Sequence, residues 1–217
     1  MDAKMIISTR VAQEFKDGDV VNLGIGIPTM AADFIPEGVH IILQSENGFV
    51  GLRGLEGEID PDCVNAGGKP VSIQSGGACF DSATSFAIIR GGHVTSTVLG
   101  ALEVDQEGNL ANWVVPGKLV PGMGGAMDLV VGARRVIVAM EHTAKGGAPK
   151  ILKKCTLPLT AKNEVEMIIT NLCVFERIRD GLLLTELAPG VTEKQVREAT
   201  EADYMVSDDL RTMALLK

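Results

Sequence analysis

The residue best placed to do chemistry is Glu46, the lone carboxylate in the nine-residue run 43–51, which reads L-Q-S-E-N-G-F-V-G. Residues 40–44, H-I-I-L-Q, have the composition of a short buried strand, and Asn47-Gly48 is a turn signal. The carboxylate therefore falls where a strand ends and the backbone reverses, the edge at which open α/β sheets bind ligands. A glutamate is already ionised at pH 7, with a pKa of about 4.3 in model peptides. It can attack a carbonyl carbon without a general base. No Ser/His/Asp pattern surrounds Glu46, and this chemistry needs none. Taken alone, a glutamate beside Asn-Gly is more often a solvated turn residue.

Two glycine-rich turns could serve such a carboxylate. Residues 19–23, D-V-V-N-L, read as a strand that runs into Gly24-Ile25-Gly26, with a helix expected over 29–34. A strand, a glycine turn and a helix in sequence aim free N–H groups at an anion. A lone G-x-G equally suits a tight turn, and Asn22 by itself is a strand-end hydrogen-bonder. Residues 115–125 are dense in Gly and Pro, and a short helix is expected over 126–131 with Gly125 at its N-terminus. The Gly125 amide would have no partner within that helix and no side chain to block approach. Gly124-Gly125 could also simply tighten the turn.

The run 43–51 resembles the glutamate signature of the β subunit of family I CoA-transferases, which include 3-oxoacid, acetoacetate and butyrate–acetoacetate CoA-transferases. The likeness continues through Gly91-Gly92-His93, Ala111-Asn112-Trp113, Gly122-Met123-Gly124-Gly125-Ala126-Met127-Asp128 and Cys155-Thr156-Leu157-Pro158-Leu159-Thr160, and so covers essentially the whole chain. It implies an α/β fold with an open mixed sheet flanked by helices. The activity it implies is CoA transfer between a short-chain acyl-CoA and an acceptor acid, with acetoacetate and acetate, butyrate or succinate as expected substrates. Glu46 would form an acyl-glutamyl anhydride and then a glutamyl-CoA thioester, which a second acid resolves in ping-pong order. Each tetrahedral oxyanion needs fixed N–H donors, and the resemblance gives Gly125 that role. Asn22, Gly24, Gly26, Asn47 and Gly124 are expected to contact substrate. CoA is a substrate here, and no metal or other cofactor is expected. Lys69 stands one residue from a position where some members carry a CoA-contacting lysine. The family builds its enzymes from two homologous halves, and this chain has the glutamate half. A separate α subunit is thus implied, commonly in an α2β2 assembly.

Composition agrees with an α/β protein. The 217 residues are expected to form one domain, 1–217, with 46% hydrophobic residues, 25 glycines and only 4% aromatics. The formal charge of −8 argues against nucleic acid as a partner. It also leaves the phosphates of CoA to backbone amides, local lysines or a partner chain. No apolar stretch reaches bilayer length, and the first fifteen or so residues lack the apolar run of a secretory signal, so a cytoplasmic protein without membrane contact is expected. Four cysteines and three histidines are scattered without C-x-x-C or comparable spacing, so no zinc site or disulfide framework is readable. The cysteines are expected as buried reduced thiols, His93 as a buried histidine and Trp113 as a packing residue.

The remaining elements follow from periodicity and punctuation. Ile7, Val11 and Phe15 mark an amphipathic opening helix stopped by Asp17-Gly18. Residues 49–69 lose periodicity and collect glycines, predicting a long surface loop that could act as a lid. Strands are expected at 71–74, 94–102 and 135–140, a helix from 80–82 through 90, a turn at 105–108, and a second helix around 164–170. Residues 174–178 and 182–187 flank Arg179-Asp180-Gly181 as an antiparallel hairpin. Thr192 and Gln195 form a capping box for a helix through Ala202, and Met205-Val206 suits an edge strand. Other activities fit less well. A thioester hydrolase would need a base to activate water, a sugar-phosphate isomerase would need a basic phosphate cradle, and a non-catalytic subunit would have no use for Glu46.

Overall fold

The computed structural model describes residues 2–115, 117 and 123–215. In chain order the elements are α1 (Ala3–Ala12), β1 (Val20–Leu23), α2 (Ile27–Met30) running into a 3-10 turn (Ala31–Phe34), β2 (Ile42–Ser45), β3 (Phe49–Arg53), β4 (Ser72–Cys79), α3 (Ser82–Arg90), β5 (Ser96–Leu99), β6 (Glu103–Asp105), β7 (Leu110–Ala111), α4 (Ala126–Gly132), β8 (Val136–Ala139), β9 (Ile151–Leu152), β10 (Met167–Ile169), β11 (Cys173–Ile178), β12 (Gly181–Leu187), α5 (Glu193–Ala199) and β13 (Tyr204–Thr212). Ten strands form one sheet in the order β13-β12-β11-β10-β8-β5-β1-β2-β3-β4, and β7-β6-β9 form a small second sheet. Strands β10, β8, β5, β1 and β2 run parallel, while β3, β4, β11 and β12 each pair antiparallel to the strand before them. The sheet is mixed and flanked by helices, as expected.

Central strands β5 (S-T-V-L) and β8 (V-I-V-A) are buried at every position, because helices cover both faces of a parallel sheet. Alternation along the strands divides the core in two. Val138 and Ile168 join one cluster with Ile89, Leu129 and Val130 of α3 and α4 and Val196 of α5. Their neighbours Ile137, Ala139 and Ile169 join the other, with Ile7 and Val11 of α1 and Phe15 beyond it.

Several elements depart from expectation. Residues 164–170 form no helix: Met167–Ile169 is a strand, held by parallel pairing to β8 and antiparallel pairing to β11, and tertiary pairing overrides the helical appearance of so short a run. Residues 49–53 belong to the sheet rather than to a surface loop, with Gly51 (φ 79°) at a register shift that lets β3 pair with both β2 and β4. The first helix ends at Ala12, although Phe15 stays buried, and α5 ends at Ala199. The strand expected at 71–74 continues to Cys79, and that at 94–102 forms only as β5, with β6 beginning just beyond it at Glu103. The hairpin β11–β12, the edge strand β13 and the Thr192–Gln195 capping box all form. Most of the Gly/Pro-rich segment before Gly125, including Gly122, lies outside the described residues.

Candidate active site

The parallel strands end at one edge of the sheet, and there the chain changes direction. From β1 it moves to β2 on one side, and it later returns to β5 on the other. Such a switch point is where open sheets leave a crevice for ligands. Immediately after β2, Gly48 N–H donates to the Ser45 carbonyl at 3.0 Å and closes a turn that presents Glu46. Gly48 is required there: its φ is 124°, and a Cβ would collide with the Phe80 carbonyl. Glu46 is half-buried. Its carboxylate reaches the start of α4, where Gly125 N–H donates to Oε1 at 3.1 Å. A Cβ on Gly125 would collide with Glu46 Oε2 and stand 3.0 Å from Phe86 Cε1, and one on Gly124 (φ 55°) would stand 3.2 Å from Oε1. Both glycines thus let a carboxylate approach bare backbone.

The turn is held from two sides. Toward solvent, Ser45 Oγ donates to Asn47 Oδ1 at 2.6 Å and accepts from Ala66 N–H at 3.2 Å, while Asn47 Nδ2 donates to the Val64 carbonyl at 2.7 Å. Toward the core, Asn22 Nδ2 donates to Gln44 Oε1 at 2.8 Å, Gln44 Nε2 to Ser85 Oγ at 2.9 Å, and Ser85 Oγ to the Ser45 carbonyl at 3.1 Å. Helix α3 carries Ser85 and also braces α4. Arg90 lies over the Phe86 ring and pairs with Asp128 at 2.7 Å, and Gly132 lets α4 close on the Ile89 carbonyl. Asp81 caps α3 by accepting from Thr84 N–H at 2.7 Å, which holds its carboxyl below the usual range.

The structure therefore brings Glu46, Gly124 and Gly125 together. Asn22 is buried at the end of β1 and turned toward Gln44. Gly24 N–H bonds the Val98 carbonyl at 2.8 Å, and a Cβ there would come within 3.0 Å of that oxygen, so this glycine lets β1 approach β5. Gly26, at φ 96°, opens α2 on the exposed rim. Among the described residues no hydrogen bond joins Gly24 or Gly26 to the Glu46 turn; they share its sheet edge. Asn47 is exposed, with its amide oxygen and nitrogen both engaged within the chain. Sequence reasoning missed Gln44, Ser45, Ser85 and Phe86 as supports of the site. The available signal was a glutamine and a serine closing an otherwise apolar strand, and a serine four residues before buried Ile89.

Other expectations need correction. His93 is exposed, lying at the surface beyond α3 with its ring against Gly91. Of the four free cysteines only Cys173, inside the sheet, is buried; Cys79 is exposed at the end of edge strand β4, and Cys63 and Cys155 are intermediate. Trp113 is half-buried and Lys69 is exposed. Among the described residues no group of three or more His, Cys, Asp or Glu could hold a metal ion, and no helix is long and apolar enough to cross a membrane.

The model of the Coenzyme A transferase family matches residues 4–199. The chain is 61% identical over 212 residues to the β subunit of an acetate CoA-transferase of Escherichia coli, covering 98% of each. It is 51% identical over 211 residues to one subunit of a probable succinyl-CoA:3-ketoacid coenzyme A transferase of Bacillus subtilis, covering 96% of this chain and 98% of that one. Among solved structures, an acyl-CoA transferase of Escherichia coli superposes with a TM-score of 0.78 at 23% identity, over 99% of this chain and 43% of that chain, a likeness of fold. The family match runs from α1 to the end of α5 and takes in both the Glu46 turn and Gly124-Gly125; the chain belongs to the coenzyme A transferase family, as one of its β subunits.

Proposed function

We propose that this chain is the nucleophile-bearing subunit of a two-subunit CoA-transferase in which Glu46 carries CoA as a glutamyl thioester. One observation carries the reading: the 3.1 Å hydrogen bond from Gly125 N–H to Glu46 Oε1. The free oxygen, Oε2, attacks the acyl-CoA carbonyl carbon and expels CoA thiolate, leaving an acyl-glutamyl anhydride. The thiolate then adds to the glutamyl carbon. In that step Oε1 becomes the oxyanion, and Gly125 N–H already points at it. Fixed donors of this kind typically contribute about 10² to 10³ in rate. Collapse releases the first acid with Oε2 and leaves CoA on Glu46; a second acid runs the same steps backward. The exchange is close to balanced and consumes no metal ion or redox cofactor.

Thiol chemistry at Cys63 or Cys155 is the less favourable course. Desolvation, the Asp60 carboxylate and Cys79 push the Cys63 thiol up, and burial followed by Asp105 and Glu103 pushes Cys155 up, so neither is readily a thiolate. The α subunit, in a heterotetramer with two copies of each chain, supplies the remaining oxyanion donor and most of the surface for CoA. Two of the large apolar side chains exposed among the described residues, Ile25 against Gly67 and Met127 in the first turn of α4, lie on segments bordering the site, where a partner would cover them. Acetoacetate is the expected acyl group, exchanged with acetate, butyrate or succinate.

The test is covalent trapping. The assembled enzyme incubated with acetoacetyl-CoA and no acceptor should gain the mass of CoA on the peptide that contains Glu46. Borohydride should then reduce that thioester, and Glu46→Ala should abolish both labelling and transfer while folding normally. Label on Cys63 or Cys155, or near-normal transfer by a folded Glu46→Ala, would overturn the reading.

A further inference from the structure

We infer that Ser85 is the positioning residue for Glu46, acting through the carbonyl of the preceding residue rather than through substrate. This rests on Glu46 as the nucleophile and adds what sets its geometry. Ser85 is fully buried, as are Asn22, Gln44 and Ser45 to within a few per cent of exposed surface. Hydrogen bonds run in one direction through them, from Asn22 Nδ2 to Gln44 Oε1, Gln44 Nε2 to Ser85 Oγ, and Ser85 Oγ–H to the Ser45 carbonyl. Ser85 Oγ has a single proton and gives it to Ser45, so the Gln44 amide must donate to it; the order is forced by the donor inventory.

The Ser45 carbonyl accepts twice, from Ser85 Oγ at 3.1 Å and from Gly48 N–H at 3.0 Å. Two donors on one oxygen fix the plane of the peptide joining Ser45 to Glu46, and that plane sets where the Glu46 side chain leaves the backbone. The same helix sets the opposite wall. Phe86, next in sequence to Ser85, packs where a Gly125 side chain would stand, and Arg90, one turn on, holds Asp128 of α4 at 2.7 Å. Helix α3 therefore acts as a ruler between the nucleophile turn and the Gly125 donor. A buried hydroxyl in a helix interior lowers helix propensity and must find partners to avoid a penalty. Here both partners lead to one turn.

Misplacement of a reacting group by about 1 Å can cost about 10² in rate. In the assembled enzyme, Ser85→Ala should lower kcat for acetoacetyl-CoA and acetate by about tenfold to about 10², with KM unchanged within about twofold and the thermal midpoint nearly kept. The single-turnover rate of thioester formation on Glu46 should fall by the same factor. Unchanged kcat, or a loss confined to KM or to thermal stability, would overturn the role of Ser85. Should Ser85→Ala fail to fold, Gln44→Met removes the link that orients the Ser85 hydroxyl while keeping its volume; a fall in kcat alone supports the role and an unchanged kcat ends it. Transfer surviving in Glu46→Ala would remove the underlying nucleophile, whereas an inactive Glu46→Ala beside a fully active Ser85→Ala would remove only the positioning residue.

Discussion

At Gly125 one hydrogen atom in place of a side chain separates a working approach from a collision. Its N–H lies 3.1 Å from Glu46 Oε1, and any Cβ would strike Oε2 and crowd Phe86. Gly125→Ala should therefore leave the fold intact, push the carboxylate off its donor and reduce kcat by about 10² to 10³, read in the steady state with circular dichroism as the control. Glu46 and Gly125 were singled out by the likeness of the runs 43–51 and 122–128 to the CoA-transferase β-subunit signature; taken alone, each reads as a turn residue. Ser85 was not, since its partner Ser45 is forty residues away in sequence and a serine four residues before Ile89 marks a buried face without naming what it bonds. The position of Asn47 beside the nucleophile suggested substrate contact, while its side chain is occupied with Val64 and Ser45.

Groups outside the Glu46 turn tie the fold to pH. His142, just past β8, is buried with its ring nitrogens 2.9 Å from Thr170 Oγ1 and 2.9 Å from Thr200 Oγ1. Burial, with Lys150 adding to it, lowers its pKa to about 4. Between that value and the usual 6.5 the unfolded chain binds a proton that the folded chain does not, so stability falls as pH drops through this window. The loss should approach about 3 kcal/mol, and urea titrations at pH 7 and pH 5 should show about half of it, with His142→Gln flattening the difference. Glu14 acts in a lower range. Burial would raise its pKa, but Arg10 and Arg135 override that and lower it, so its contribution is lost only as pH falls below the ordinary carboxylate range. Arg10 also pairs with Glu186 through Nε and Nη2 at 2.7 and 2.9 Å, joining α1 to β12. Arg10→Met would leave two mostly buried carboxylates with one fewer partner and should cost about 3 kcal/mol or more in denaturant unfolding. Helix starts, the capping box and the β11–β12 hairpin could be read from caps and turn residues. Strand β10 could not, because three residues acquire their conformation from the neighbours they pair with.

For the whole molecule, the two ends of the ten-stranded sheet differ. Strand β13 carries Asp208, Asp209 and Arg211, charges that discourage another strand from pairing there, whereas β4 (S-I-Q-S-G-G-A-C) has none. The unguarded end is the one nearer Glu46. The order of strands was beyond sequence reasoning, since crossovers depend on packing, but an open mixed sheet was legible from buried apolar runs between glycine turns. The chain expressed alone should fold yet transfer no CoA, and adding the α subunit should restore activity; full activity without it would remove the need for a partner. In the assembled enzyme, double-reciprocal plots against the two substrates should be parallel, and intersecting lines would point to direct transfer through a ternary complex.

The Gly125 hydrogen bond makes the two oxygens of Glu46 different atoms rather than interchangeable ones. In the proposed cycle, the oxygen held by the N–H would remain on the enzyme throughout, while the other would depart with each acid released and be replaced from each acid consumed. If the carboxylate does not rotate between turnovers, an acceptor labelled with heavy oxygen in both positions should leave one labelled atom on Glu46, however many cycles pass. Mass spectrometry of the Glu46 peptide should plateau at a single heavy oxygen. A plateau at two would mean that the side chain lets go of Gly125 and turns over between acids.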